Sequence, residues 1–548
     1  AELELIEAPL NPEFIKYLEE VNKSGYGSFG LEPYSKGLIP DTIIIEKDPD
    51  FTPSQIRITT FPEKFDLREK SKLTSVKNQG KNGSCWAFAT YASLESWLMP
   101  SEEWDFSENH MKNTHGFDLG HDSGGNRTMS TAYLARWSGP VLEKDDPFKE
   151  YDGDSPEVLP IRKQVKNVLF LPDRENPLDN DYIKWALMTH GAVQSSYYSK
   201  DEVFYNKDTY SYYHNGDENT NHAVAIVGWD DNYSKDNFNI TPPGDGAFIV
   251  KNSWGENWGE NGYFYISYYD THIGTKNAVY INAEDVGYYS NIYQYDPLGN
   301  INYISYGNTA DGNWFANVFS SKDIEEDLVA VSFYTRVENA RYEVWIDTDF
   351  KNEDFSNLKK VEEGTLEVPG YHTIDFEPEK IEVGKTFAVA VKLITNDGFP
   401  IPIETPISKY TSKATANAGE SYISSNGTKW RDLTKIMDTK GKYPHKNTNV
   451  NLKAFTKNTR IPVKSINLNQ ERMLLQPKQQ KALLATILPE DATNKDIIWA
   501  SDDEKVAIVD KNGVVTGISE GETTIRVKSA DNENIYATCT VEVSRYPV

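Results

Sequence analysis

The stretch "NQGKNGSCWAFATYASLESWLMP", Asn78 to Pro100, holds Cys85, one of two cysteines in 548 residues. A free thiol is either a small apolar filler or, once ionised, a nucleophile. Gly83 and Ser84 break the chain just before it. Residues 85–99 then carry apolar side chains on more than one face, which predicts a buried helix stopped by Pro100. Cys85 falls in the first turn of that helix. Unpaired backbone N–H groups and the positive end of the helix dipole favour an anion there. Position alone leaves both readings of the thiol open.

A nucleophilic cysteine needs a base, and the base needs an orienting group. His222 opens "NHAVAIVG", an apolar run that predicts a buried strand with the histidine at its mouth. Asn252 follows a second apolar strand, "AFIV", and Trp254 stands two residues on. An Asn carbonyl can accept one ring N–H of His222 and so fix its tautomer. A neighbouring indole would keep water from that bond. Gln79 precedes Cys85 in the same loop. Its side-chain amide and the Cys85 backbone N–H could together form a two-donor oxyanion hole.

The elements that must position these groups fall into four stretches. Residues 1–60 contain one short helix, in which Asn11 caps, Pro12 opens, Phe14, Leu18 and Val21 form a stripe and Gly25 stops the run. Apart from the strand-like "TIIIEK", the rest of this stretch is turn-forming and makes no core of its own. Residues 61–284 are helical first and strand-rich later. Residues 285–458 read as strands and turns, with "ARYEVWIDTDF", "KTFAVAVKLI" and "NVNLKAFT". Residues 459–548 form a second compact strand-rich stretch. In it Cys539, Val541 and Val543 alternate on one strand face, and "DKNGVV" supplies an Asn-Gly hairpin turn.

"FPEKFDLREKSKLTSVKNQGKNGSCWAF", "NHAVAIVGW" and "KNSWGENWGENGYF" together resemble the papain family of cysteine proteases. The resemblance implies an α+β papain-like fold with a helical half and a β-barrel half. It implies Cys85 as nucleophile, His222 as acid and base, Asn252 as orienter, Gln79 as oxyanion donor and Trp254 as the shielding ring. "HDSGGN" is similar to the family's paired-glycine loop. Gly124 and Gly125 are therefore expected to line the cleft, where a substrate strand can pair with the backbone. Papain-like enzymes usually carry a disulfide beside the nucleophile. Asn82 and Asp122 stand at those two positions here, so packing or hydrogen bonds must hold that wall. By the same resemblance, residues 1–60 are expected to be an inhibitory prosegment. The Phe14, Leu18 and Val21 stripe would dock on the protease, and the chain after Gly25 would cross the cleft opposite to a substrate.

Residues 285–458 resemble the lectin-like domain that follows the protease in clostridial surface cysteine proteases. The carriers are "NIYQYD", "WFANVFSS", "GYHTIDF" and "GESYISSNGTKWRDL". Residues 460–545 resemble a bacterial immunoglobulin-like domain. The implied architecture is thus a papain-like protease followed by two all-β domains, a jelly-roll or lectin-like sandwich and an Ig-like sandwich. These β domains imply export to the medium or to a bacterial surface, although "AELELIEAPL" has no signal-peptide pattern.

A net charge of -27 argues against nucleic acid and anionic lipid as partners. No apolar run approaches the length of a membrane span. Expected partners are peptide or protein substrates, with cell-wall or host glycans at the β domains, and a monomer is expected. No cofactor is required. His110, His115 and His121 lie near Asp118 and Asp122, but their spacing fits no zinc pattern. "DDNYSKDNF" (230–238) and "DTDFKNED" (347–354) could offer oxygens to structural calcium, yet lack EF-hand spacing and read first as solvated turns. The leading function is an endopeptidase made as a zymogen. Its rival is a surface adhesin or carbohydrate-binding protein whose protease serves only processing. A wall amidase or transglutaminase fits "KNSWG" and Gln79 poorly.

Overall fold

The computed structural model of the chain describes residues 4–27, 36–307 and 312–546. Two compact units emerge. The first comprises residues 1–320, 328–379 and 386–456, and the second residues 321–327, 380–385 and 457–548.

The first unit opens with a short strand, β1 (Ile6–Glu7), and a helix, α1 (Pro12–Ser24). The helix starts and stops on the residues expected of it. Asn11 Oδ1 accepts the Glu13 N–H at 3.1 Å, and the Gly25 N–H, at φ +77°, returns to the Val21 carbonyl at 2.9 Å. Three further helices matter to the site: α2 (Cys85–Leu98), α3 (Arg127–Ala135) and α4 (Asp181–His190). Helix α2 is buried nearly all round, as its apolar residues on every side require.

The strands that follow are β2 (Lys163–Leu171), β3 (Val193–Tyr197), β4 (His222–Asp230), β5 (Ala247–Lys251), β6 (Tyr263–Ser267) and β7 (Thr275–Asp285). They lie in the order β2-β7-β3-β4-β5-β6, each antiparallel to its neighbour. Helix α2 packs on β4 and β7. The helical half and the strand half therefore meet along α2.

The 285–458 stretch supplies β8 (Asn302–Ser305), β9 (Asn313–Ser320), β10 (Ala340–Asp347), β11 (Lys359–Leu366), β12 (Gly370–Ile381), β13 (Thr386–Ile394), β14 (Ile401–Glu404), β15 (Ser421–Ser424), β16 (Trp430–Asp432) and β17 (Asn449–Val450). Six of them form one sheet, β11-β10-β13-β9-β15-β16. Strand β12 instead joins the sheet of the 61–284 stretch. Gly370 and Tyr371 pair with Leu169 and Val168 of β2, so one sheet runs on from the 61–284 stretch into the 285–458 stretch. This shared sheet is why the two stretches form a single compact unit.

The N-terminal segment is held by both. Strand β1 adds to the edge of β8 and makes the sheet β1-β8-β14-β17. The helical stripe, expected to dock on the 61–284 stretch, meets the 285–458 stretch as well. Phe14 lies fully buried with its ring edge-on to Tyr410, at 4.8 Å between centroids. The helix also meets the 61–284 stretch, with Lys276 Nζ 3.1 Å from Glu13 Oε2. "TIIIEK" makes a single bridge, Glu46 to Val337, in place of a strand.

The second unit contains β18 (Arg472–Leu475), β19 (Gln480–Ala482), β20 (Ile497–Ser501), β21 (Ala507–Val509), β22 (Val514–Gly517), β23 (Gly521–Ser529) and β24 (Tyr536–Val543). They form the sheets β18-β24-β23-β20 and β19-β22-β21. Cys539 is buried in the core beside Val541 and Val543. Gly513, at φ +81°, turns the chain between β21 and β22.

Gly370 sits at the sheet junction with φ +145°, and a Cβ there would lie 2.0 Å from the Val168 carbonyl oxygen. Gly370→Ala is expected to destabilise the first unit by about 2 kcal/mol or more. Urea unfolding checks this, and an unchanged midpoint would show that β12 docks on β2 without needing that backbone.

Candidate active site

Four loops and strand ends bring the sequence-selected residues together. Cys85 opens α2 and His222 opens β4, while Asn252 directly follows β5, the neighbour of β4. Cys85 and His222 are fully buried. The backbone N–H of Ala223, next to His222, donates to Cys85 Sγ at 3.4 Å. His222 Nε2 lies 2.9 Å from Asn252 Oδ1. That oxygen can only accept, so Nε2 carries the proton and Nδ1 is the basic nitrogen. Nδ1 has no hydrogen-bond partner among the described residues. The Ser253 N–H also donates to Asn252 Oδ1, at 2.8 Å, and so fixes the amide's orientation. Trp254 stacks on the imidazole at 4.8 Å with 13° between planes, and Trp258 meets Trp254 edge-on at 5.0 Å.

Gln79 is fully buried and locked at its oxygen end. Ser253 Oγ donates to Gln79 Oε1 at 2.7 Å, and the Gln79 N–H donates to the Ser253 carbonyl at 2.9 Å. The amide nitrogen is thereby aimed at the cleft. There it donates to the carbonyls of Lys36 and Asn82, each at 2.9 Å. Ser253 was not selected from the sequence, yet it holds both Gln79 and Asn252. Its only sequence signal was its place between Asn252 and Trp254.

The N-terminal segment lies across these groups. Gly37 and Leu38 donate to the Asn221 carbonyl at 3.4 and 3.2 Å. Gly125 uses both of its backbone groups on the segment. Its N–H donates to the Gly37 carbonyl at 2.9 Å, and its carbonyl accepts the Ile39 N–H at 3.0 Å. Leu38 and Gly125 run parallel. Gly124 adopts φ +84° beside it, and a Cβ on Gly125 would meet the Trp86 indole at 2.3 Å. Leu38 packs in one apolar cluster with Cys85, Ala89 and Ala223.

Hydrogen bonds hold the wall in place of a disulfide. Asp122 Oδ1 accepts the Gly83 N–H at 2.5 Å, and Asn82 Nδ2 donates to the Glu150 carbonyl at 2.9 Å. Asn82 Nδ2 also lies 3.3 Å from His121 Nδ1. The other two histidines of that stretch are engaged separately. His110 reaches Tyr133 and the Pro156 carbonyl, and His115 Nδ1 accepts the Phe117 N–H.

Behind the site lies a buried charge network that the sequence reading missed. Lys77 Nζ sits 3.0 Å from Glu95 and 2.8 Å from Glu108, and Lys251 Nζ donates to the Thr74 carbonyl at 2.9 Å. Glu95 also accepts from Thr74 Oγ1 and from the Phe106 N–H. A carboxylate inside an otherwise apolar helix was the available signal.

Three family models match the chain. Residues 61–283 match "Papain family cysteine protease", residues 292–456 "Lectin like domain" and residues 462–541 "Bacterial Ig-like domain (group 2)". The viral cathepsin of Choristoneura fumiferana defective polyhedrosis virus is 30% identical over 300 residues, covering 51% of this chain and 82% of that protein. The chain belongs to the papain family of cysteine proteases. As such it is a cysteine peptidase, with a lectin-like and an Ig-like region after the catalytic one. The viral cathepsin of Antheraea pernyi nuclear polyhedrosis virus is likewise 30% identical, over 46% of this chain and 71% of that protein. The solved structure of the cysteine protease and lectin-like domains of Cwp84, a surface layer associated protein of Clostridium difficile, superposes with a TM-score of 0.68. It is 28% identical and covers 83% of this chain and 98% of that one. Cwp84 after propeptide cleavage gives a TM-score of 0.62 at 29% identity, over 72% of this chain and 99% of that one.

In this peptidase the thiol and the imidazole are both neutral. Burial pushes the Cys85 thiol up to about 12, against the Ala223 and Trp86 N–H groups that favour its anion. Burial pushes His222 down to about 3, despite the Asn252 oxygen that favours its cation. A thiol that ionises only far above neutral pH is a poor nucleophile at pH 7. In the full chain, Cys85 is therefore expected to react with iodoacetamide at pH 7 about 10² times more slowly than in a chain lacking residues 1–60. Mass-spectrometric labelling rates check this. Equal rates would show that the segment does not control the thiol.

Proposed function

We propose that the chain is an endopeptidase made as a zymogen, in which Cys85 is the nucleophile and His222 the acid and base. Asn252 orients the imidazole, and Gln79 with the Cys85 N–H receives the oxyanion. The carrying observation is the bond from His222 Nε2 to Asn252 Oδ1, capped by Trp254, which leaves Nδ1 as the basic nitrogen of a site whose thiol lies beside the Ala223 N–H.

With the cleft open to water, the Cys85 proton passes to His222 Nδ1. The thiolate attacks the scissile carbonyl, an S–C bond forms, and the oxygen takes the charge where the Lys36 carbonyl now meets Gln79. Collapse breaks the C–N bond, and His222 returns its proton to the leaving amine. Water then adds to the thioester with His222 as base. The S–C bond breaks, releasing the acid and restoring the thiol. No step calls for a metal or cofactor.

A substrate would pair with Gly125 in the direction opposite to the N-terminal segment, whose parallel course keeps its own peptide bonds out of register. Residues 1–60 are thus the prosegment. Secretion or surface display is supported by the likeness to Cwp84, itself surface layer associated.

The adhesin reading draws on a cavity of about 810 Å³ in the lectin-like region, lined by Trp314, Trp345, Trp430, Glu343 and Asn426. Indole faces beside amide and carboxylate oxygens suit a glycan. Both readings keep a reactive thiol, so they diverge on cleavage in trans of added peptides, which the activated endopeptidase should hydrolyse until an active-site-directed epoxide is added. One thiol should be consumed, with loss of peptide hydrolysis.

Cys85→Ala is expected to abolish peptide hydrolysis, and Gln79→Ala to lower kcat by about 10²–10³. Asn252→Ala should lose less than His222→Ala. Removal of residues 1–60 should raise the rate, and the added segment should lower it again. Full activity in Cys85→Ala would refute the assignment.

A further inference from the structure

Residues 37–41 of the N-terminal segment follow residues 125–127 of the protease step by step. Gly37 and Ile39 bond to Gly125, and the Pro40 carbonyl accepts from Asn126 Nδ2 at 3.1 Å. The next step is ionic. Arg127 Nε donates to Asp41 Oδ2 at 3.0 Å, with the Arg127 side chain 5% and the Asp41 side chain 4% exposed.

The rest of the guanidinium has few partners. Arg127 Nη1 donates to the Asn277 carbonyl at 2.6 Å, and the guanidinium carbon lies 4.8 Å from the centre of the Phe170 ring. The Asp173 carboxylate feels the charge but accepts its own hydrogen bond from the Lys276 N–H, at 2.9 Å. Asp41 Oδ2 is thus the one carboxylate oxygen that Arg127 bonds among the described residues.

Removing the segment takes that carboxylate away. The Nε donor, one residue beyond Asn126 and two beyond Gly125, is then left without its carboxylate, while Nη1 keeps the Asn277 carbonyl. A guanidinium so placed pairs strongly with a carboxylate in bidentate geometry. A site built to bond a charged group also discriminates against an isostere that lacks the charge, because its buried donors are left unpaired.

The segment also gives the direction. Its Lys36 carbonyl occupies the oxyanion donor, its Leu38 pairs with Gly125, and its Asp41 reaches Arg127. On the reading above, a substrate runs the other way. The path from its scissile carbonyl along Gly125 to Arg127 then leads toward its N-terminus. We infer that Arg127 forms a carboxylate-binding subsite that makes the activated protease prefer an acidic side chain roughly two to four residues before the scissile bond. Asp41 fills this subsite until the segment leaves. The inference rests on the proposed Cys85 chemistry and adds its substrate class. The chain's own sequence before Phe61 offers probes, since "IEKDPDF" carries Glu46, Asp48 and Asp50.

The test uses the full chain activated by removal of its segment. Matched peptides carry Glu or Gln, and Asp or Asn, at each of the four positions before the cleaved bond. Wild type is expected to favour an acid over its amide by about tenfold or more in kcat/KM at one of them. Arg127→Met should bring that ratio close to one, and Arg127→Lys should leave an intermediate preference. A peptide of residues 36–47 should inhibit wild type more strongly than its Asp41→Asn form. This arm needs no variant enzyme and so stands if Arg127→Met misfolds. A wild-type ratio within about twofold at every position, or a ratio kept in Arg127→Met, overturns the inference. If neutral peptides are cleaved and one thiol is titrated while the ratio stays flat, only this inference falls. If no peptide is cleaved and no thiol reacts, the proposed function falls with it.

Discussion

A thiol and an imidazole can share a proton as an ion pair only where their charges find compensation. Beneath Leu38 they do not. Cys85 and His222 are both fully buried, and burial drives each toward its neutral form. Much else at the site reads as a consequence of that one cover. The Lys36 carbonyl takes the Gln79 donor, both backbone groups of Gly125 are used by the segment, and Asp41 neutralises Arg127. The Gln79 amide, the Gly125 backbone and Arg127 thus already have partners in the segment. On the proposed zymogen reading the cleft is preformed and occupied at once, so its geometry would not need rebuilding when the segment leaves.

The lectin-like region takes part in holding that cover. Its strand β12 extends the protease sheet at β2, its strand β8 receives β1, and Tyr410 receives Phe14. Tyr410 reaches further, because its hydroxyl accepts from Asn126 Nδ2 at 3.0 Å. Asn126 also caps α3 through its Oδ1, which accepts the Met129 N–H at 3.0 Å. One asparagine thus ties the start of α3, the N-terminal segment and the lectin-like region together.

Much of the site was legible in the sequence because its signals are local. Asn11, Pro12 and Gly25 bound α1 by rules that act within one turn. The apolar faces of residues 85–99 placed Cys85 at a helix start, and two apolar runs placed His222 and Asn252 at strand ends. What escaped depends on distance along the chain. The contact of Asp41 with Arg127, of Phe14 with Tyr410, and of β12 with β2 has no periodicity to betray it. Glu95 escaped for another reason. A carboxylate in a buried helix breaks the apolar pattern, and Lys77, Thr74 and the Phe106 N–H, from other loops, explain it. "TIIIEK" shows the opposite failure, since β-branched residues alone do not supply a neighbouring strand.

The pairing of β1 with β8 bears on what a cut in the chain accomplishes. Severing the polypeptide before Phe61 breaks one covalent bond. It leaves untouched the ladder at Ile6, the ring contact at Phe14, the bonds at Gly125 and the ion pair at Asp41. The freed piece then leaves as any bound peptide leaves, with a dissociation rate of its own and the ability to return. On the proposed zymogen reading it would compete with substrate in a confined volume, and dilution into open fluid would complete activation.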